Sequence, residues 1–284
     1  MGFESQETKR NIYKLRNMVM KKTVFVYDYT SNNVGDINSC PLDYFDFSFT
    51  ENIKANLKDM REDDRSKYYL DNVIFGGGGL ISGRIKKMFR MLLADKPANC
   101  KVFSWGIGHN EKRRGVRYHR KNIRNFIEVF DTLSVRDWGT PHLYVPCVSC
   151  MHKVFDVVRP KPKHKIVIYD HYGYEIPSTK NFPRMNNLGV TIEEVADFLS
   201  SGTLVVTSAY HGVYWALLLG KKVLIIPWAS RFHGFRYKSL MSTLENWQFS
   251  IDKAMGQEPY PQYLQESRDI NIKYYDKVRN MMNK

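Results

Sequence analysis

The chain reads as an α/β protein: two Rossmann-like, doubly wound halves, each a parallel sheet, facing one another across a cleft. Three observations predict this. Short apolar runs alternate with stretches of helical spacing from Lys22 to Val223, and such alternation builds parallel sheets with helices on their faces. Polar or glycine-rich turns follow the apolar runs directly, as at Gly76-Gly77-Gly78-Gly79 and Thr207-Ser208-Ala209-Tyr210-His211-Gly212. The run Arg159-Pro160-Lys161-Pro162-Lys163 reads as a linker between the halves.

In the first half, Lys22 to Tyr29 reads as a buried strand, followed by a turn from Thr30 to Asp36 and a helix from about Asn38. The charged segment from Ile53 to Tyr69 reads as a surface helix. Val73-Ile74-Phe75 is a strand that runs into the four glycines, and Leu80 to Leu93 has helical spacing. Lys101 to Trp105 is the next strand, ending in Gly106-Ile107-Gly108-His109. Val116 to Phe130 reads as a helix, and Thr132 to Val135 as a strand ending at Arg136-Asp137.

In the second half, Lys165 to Tyr169 opens as a strand. Thr191 caps a helix running to Ser200, with Glu194 in the capping-box position. Gly202 to Thr207 is a strand, an apolar helix follows the polar turn, and the run from Lys222 to Pro227 is the next strand. Tyr237 to Trp247 and Tyr263 to Asn283 read as helices. The expected domains are 1–158, the acceptor side, and 159–262, the donor side. The helix at 263–284 is free to cross back to the first. This is a GT-B-like plan, with ligands in the cleft between halves.

With 284 residues, 43% of them hydrophobic and 14% aromatic, the chain can bury a core, which excludes global disorder. The formal net charge of +14 points to an anionic partner: a phosphorylated metabolite, a nucleotide-sugar, or a lipid-linked sugar diphosphate at an anionic membrane. Nucleic acid fits poorly. The densest basic cluster, Lys112-Arg113-Arg114 with Arg117, Arg120, Lys121 and Arg124, has few interleaved aromatics, and no nucleic-acid-binding signature is present. No apolar run is long enough to span a bilayer, and the first 17 residues lack the apolar stretch of a signal peptide. The expectation is a cytoplasmic protein with peripheral contact at the inner membrane. Cys147-Val148-Ser149-Cys150 has C-x-x-C spacing, but no second pair exists to complete a zinc site. The four cysteines are therefore expected to be ordinary thiols.

Five strand-end loops carry the chemistry. The first holds Asn33 and Asp36, suited to positioning or deprotonating a hydroxyl of an acceptor. The second is Gly76, Gly77, Gly78 and Gly79, whose bare amides can cradle a phosphate or carboxylate. It is neither a Walker A loop nor a dinucleotide fingerprint. The third ends in His109, a candidate catalytic base. The fourth is Arg136, suited to a bidentate anion contact. The fifth is Thr207-Ser208-Ala209-Tyr210-His211, with Ser208 as helix cap and donor-binding hydroxyl. His211, in the first helical turn, can meet an anion and move a proton. Arg231, after the next strand, can close over the anion.

Taken in order, these motifs resemble the polysaccharide pyruvyl transferase family. They are Asn33-Val34-Gly35-Asp36, the strand and glycines from Val73 to Leu80, Trp105-Gly106-Ile107-Gly108, Ser134-Val135-Arg136-Asp137, and Thr207 to His211 with Gly220-Lys221-Lys222-Val223. The likeness spans roughly residues 22 to 235. It implies a GT-B-like fold and transfer of an enolpyruvyl-derived group from phosphoenolpyruvate to a sugar, forming a pyruvate ketal on a surface glycan. His211 then acts as acid or phosphate ligand, Arg136 and Arg231 grip the donor with the glycine amides and Ser208, and Asp36 and His109 serve the acceptor. The scheme requires no metal and no cofactor. Ala209 stands where many members carry an arginine, and Pro146-Cys147-Val148-Ser149-Cys150 replaces an aspartate-containing segment. Two alternatives stay open: a nucleotide-sugar glycosyltransferase of the same plan, and a noncatalytic glycan-binding relative.

Overall fold

Every pairing between strands of the computed structural model is parallel among the described residues, which are 20–59, 70–82, 96–111 and 128–284. The first sheet holds β1 (Lys22–Tyr27), β2 (Glu51–Asn56), β3 (Asn72–Phe75) and β4 (Lys101–Ser104), in the order β2-β1-β3-β4. β5 (Ser134–Val135) extends this order, because Phe103 bridges Thr132 and Ile107 bridges Val135, both in parallel. β6 (Leu143–Tyr144) pairs with β5.

The second sheet holds β7 (His164–Asp170), β8 (Arg184–Asn186), β9 (Gly202–Thr207), β10 (Lys222–Ile225) and β11 (Leu240–Met241), in the order β8-β7-β9-β10-β11. Both sheets thus begin with their second strand beside the first and then step the other way. The reversal falls between β1 and β3 in one sheet and between β7 and β9 in the other. An open parallel sheet leaves a crevice at such a reversal, outside the carboxyl ends of its strands.

Each sheet is covered on both faces, as a parallel sheet requires. Val24, Val26, Val73, Phe75 and Val102 pack to one side of the first sheet. Phe25, Ile74 and Phe103 pack to the other, against Tyr274, Val278 and Met282. Those last three belong to the C-terminal helix α5 (Tyr263–Met282), a 20-residue helix. It is tied to the first sheet by buried polar bonds. Trp105 Nε1 donates to Asn271 Oδ1 at 2.7 Å, and the Tyr274 hydroxyl donates to the Ser104 carbonyl at 2.6 Å. The same helix also packs on the second half, where Tyr263 joins the core beneath α3 (Tyr210–Leu218). All nine residues of α3 are buried. α2 (Ile192–Ser200) is held by the expected capping box of Thr191 and Glu194, and α4 (Ile251–Met255) covers the opposite face of the second sheet.

Several expectations need correction. The segment from Ile53 is not helical: Glu51–Asn56 is an edge strand whose charged residues face solvent, paired along β1. The rest of that segment, 60–69, lies outside the described residues. No helix runs on from Asn38. A single turn, α1 (Val34–Ile37), ends there, and Pro41 starts a separate 3₁₀ turn, since proline cannot continue a helix. Tyr237 to Trp247 is not a helix either. Leu240 and Met241 pair with Leu224 and Ile225 as the outer strand. The helices expected at 80–93 and 116–130, and the basic cluster at 112–124, lie outside the described residues apart from short ends: Ile81 bridges His109 and 128–129 form a turn. No helix among the described residues is long and apolar enough to cross a membrane.

Candidate functional site

The two strand-order reversals face one cavity of about 500 Å³. The first half contributes Asp28 and Asn33 after β1, Asp36 and Ser39, and Gly77, Gly78 and Gly79 after β3, with Asn110 from the loop beyond β4. The second half contributes His171, Tyr172, Gly173 and Tyr174 after β7, with Trp228 and Arg231 after β10.

Asp36 is aimed by its own helix. Asn33 is the N-cap of α1: its Oδ1 accepts from the Gly35 N–H at 3.1 Å, and its Nδ2 donates to Asp36 Oδ2 at 2.9 Å. Burial, together with the nearby Asp28, pushes the Asp36 carboxyl up to about 6. Arg136, Arg231 and the bond from Asn33 pull the other way and do not prevail. A carboxyl in that range exchanges its proton near neutral pH.

Two arginines supply positive charge. Arg136 follows β5 and is buried, its guanidinium 3.6 Å over the Tyr210 ring. Arg231 lies 4.2 Å over the Trp228 ring. Nε and Nη1 of Arg136, and Nε and Nη2 of Arg231, are buried without a hydrogen-bond acceptor among the described residues. Burial and the neighbouring Arg136 bring Arg231 down to about 10. Unsatisfied guanidinium donors are costly inside a protein. Only Arg231 lines the cavity; Arg136, expected to grip the donor directly, does not. An anion against Arg231 would satisfy its donors and offset the repulsion from Arg136.

The glycine loop is partly committed. The Gly76 N–H donates to the Val26 carbonyl and the Gly77 N–H to the Ser39 carbonyl. The Gly78 and Gly79 amides, at the cavity edge, find no acceptor among the described residues. Gly78 has φ of +99°, a conformation open to glycine and strained for other residues.

The remaining expected residues sit elsewhere. His211 is buried in the first turn of α3 and does not line the cavity. Its Nε2 lies 3.5 Å from Cys147 Sγ, and its ring packs beneath Gly35. Burial, then Arg136 and Arg231, holds its pKa well below the ordinary histidine value, so the imidazole is neutral. His109 does not line the cavity either. Its Nδ1 lies 2.9 Å from Asp137 Oδ2, and the same oxygen accepts its backbone N–H at 2.8 Å. Ser208 does not cap α3; the N-cap is Ala209, which makes no side-chain bond. Thr207 Oγ1 takes the Ala209 N–H instead, while the Ser208 hydroxyl accepts from the His171 N–H and donates to the Tyr174 carbonyl. It pins the loop after β7.

A second cavity of about 290 Å³ adjoins the first and is mostly apolar, lined by Ile226, Pro227, Leu244 and Ser208. Tyr174 and Trp228 line both cavities and stack with ring centroids 3.8 Å apart. Sequence reasoning missed Asp28, Asn110, His171, Tyr172, Tyr174 and Trp228. Asp28 and His171 were within reach: each is the first residue beyond a strand, β1 or β7, at a carboxyl end. No group of three or more metal-ligating side chains occurs among the described residues.

No protein-family model matches the chain, and no curated protein is similar to it in sequence. Two solved structures are similar in part. One, an uncharacterized protein from Klebsiella pneumoniae, is 18% identical over 79% of this chain and 90% of its own, with a TM-score of 0.46. The other, a variant of the wall teichoic acid polymerase TagF, is 8% identical over 100% of both chains, with a TM-score of 0.44.

Proposed function

We propose that the chain is a glycan-modifying transferase that holds an anionic donor in the cavity between the two sheets and passes part of it to a sugar hydroxyl. One observation carries this reading: Asp36, poised near neutral pH, shares a cavity with Arg231 and the bare amides of Gly78 and Gly79. A proton carrier beside an anion cradle is what group transfer from a phosphorylated donor needs.

Phosphoenolpyruvate is the donor that the motif order suggests. An acceptor hydroxyl oxygen bonds to C2, C3 takes a proton, and the bond from C2 to the phosphate oxygen breaks. A second hydroxyl then closes the ketal. Two protons leave the acceptor; one is balanced at C3 and the other leaves with the phosphate. Asp36 is the group placed to carry a proton. Arg231, with Arg136 behind it, offsets charge on the departing phosphate. The arginine missing at Ala209 is replaced in this scheme by Arg231, from the loop after β10. His211, neutral and beneath Gly35, positions α1 rather than donating the proton.

The apolar cavity beyond Tyr174 and Trp228 favours a second reading, a nucleotide-sugar donor whose base occupies it. A donor assay separates the two. The protein is incubated with a hexopyranoside bearing a free 4,6-diol and either phosphoenolpyruvate or a set of nucleotide-sugars, and products are followed by mass spectrometry. A pyruvylated glycoside with release of phosphate supports the first reading and sinks the second. Turnover of a nucleotide-sugar alone does the reverse. No turnover of either donor, with glycan binding intact in His211→Ala, leaves the noncatalytic relative.

A further inference from the structure

The cavity has two unlike walls, and the proposed donor uses only part of one. The wall from the second half is aromatic. His171 and Tyr172 stack with ring centroids 4.6 Å apart, Tyr174 and Trp228 stack at 3.8 Å, and His171 meets the Trp228 ring edge-on at 4.9 Å. Tyr172 is 60% exposed although it lines a cavity, so one aromatic surface stands open to whatever enters.

This wall is fixed in place before any ligand arrives. The His171 N–H donates to Ser208 Oγ at 2.9 Å, the Tyr172 N–H to Asn187 Oδ1 at 2.8 Å, and the Tyr174 N–H to the His171 carbonyl at 2.8 Å. The facing wall is polar and short-armed: Asp28, Asn33, Asp36 and Asn110. Asn110 Oδ1 is buried with no hydrogen-bond partner among the described residues.

We infer that the His171–Tyr172 platform is the subsite for the pyranose ring of the acceptor. The inference rests on the glycan-transferase reading and adds the residues that would recognise the sugar. A pyranose has a face of polarised C–H bonds and a rim of hydroxyls. The C–H face suits the electron-rich face of an aromatic ring, and the rim suits the carboxylates and amides that line the same cavity. A hydroxyl of the sugar rim would satisfy Asn110 Oδ1, which is buried without a partner among the described residues, whereas an aliphatic chain would leave it unpaired. A sugar on Tyr172 would share the cavity with Asp36, the proposed proton carrier.

The test uses saturation-transfer NMR with the methyl pyranosides of glucose, galactose and mannose, alongside phosphoenolpyruvate binding by calorimetry. The variants are Tyr172→Ala and Tyr172→Phe; the exposed position makes both compatible with folding, checked by circular dichroism. The expected result is transfer to ring C–H protons of at least one pyranoside, reduced at least fivefold in Tyr172→Ala and retained in Tyr172→Phe, with donor binding unchanged. Absence of pyranoside signal in the wild-type protein, or a signal indifferent to Tyr172→Ala, overturns the subsite. The two readings fail separately: pyranoside binding without donor binding refutes the donor, and turnover independent of Tyr172 refutes only the platform.

Discussion

Gly35 of the first half lies directly on the imidazole of His211 in the second. A Cβ built on Gly35 would fall 1.8 Å from His211 Nδ1 and 2.6 Å from Cγ. No side chain fits there, and the contact joins the two halves behind the residues that line the cavity. The Val34 N–H reinforces it by donating across to the Asn187 carbonyl at 3.1 Å. The glycine of the first motif and the histidine of the last are therefore a matched pair, and the match is steric.

Gly35→Ala is expected to push α1 away from α3. Overpacking of this kind costs about 1–3 kcal/mol, which urea denaturation would register as a lower midpoint. The cavity should loosen as well, because α1 carries Asp36. A stability unchanged from wild type would contradict the close contact.

Asp36→Asn should separate stability from activity. With a folded-state pKa of about 6 against roughly 3.9 in the unfolded chain, the native state binds more protons between these values. Stability therefore falls as pH rises from about 4 to 6, and the part owed to this proton is lost above that. The asparagine variant should lose this slope, giving a smaller difference in urea midpoint between pH 4.5 and pH 7 than wild type. Transfer activity should fall about 10²–10⁴-fold. An unchanged pH slope would show that Asp36 titrates normally.

Arg136→Met removes a buried guanidinium with two unsatisfied donors. A buried guanidinium with unsatisfied donors is costly, so an apolar side chain of similar length should leave stability unchanged or raised. Affinity for phosphoenolpyruvate or inorganic phosphate should drop at least tenfold. A destabilised variant that still binds the anion would mean that Arg136 holds the fold and not the donor. Calorimetry and thermal melts on the same samples decide between them.

Asn271→Leu tests how α5 is fastened to the first sheet. The change strands the Trp105 indole N–H, which donates to Asn271 at 2.7 Å. A buried donor left without a partner costs about 1–3 kcal/mol. Hydrogen exchange should quicken in α5 while α2 remains protected.

Much of the second half was legible in the chain. Thr191 and Glu194 announce their helix by local bonding alone, and the strand from Gly202 to Thr207 is built on the β-rich run Thr203-Leu204-Val205-Val206-Thr207. Local rules failed where partners decide. The segment from Ile53 looks charged and helical, yet Glu51–Asn56 is an edge strand because β1 offers it an open row of backbone groups. Ser208 looks like a cap, yet its hydroxyl is taken by the loop after β7. The places of Arg231 and Gly77 to Gly79 at the cavity were readable because residue type limits what they do, whereas Arg136 and Gly76 do not line it. Tyr172 and Trp228 were not, since an aromatic side chain reads the same in a core as on a binding wall.

By itself, the sequence determined the alternation of strands and helices, the glycine turns at their ends and the excess of positive charge. These follow from local propensity, periodicity and composition. Only the tertiary structure decided that the two strand-order reversals face one another, that Asp36 reaches the cavity while His211 stays beneath Gly35, and that His109 is taken by Asp137. The physical reason is distance along the chain. Gly35 and His211 are 176 residues apart, and nothing in the neighbourhood of either specifies the other. Their contact is fixed by how two separate sheets dock.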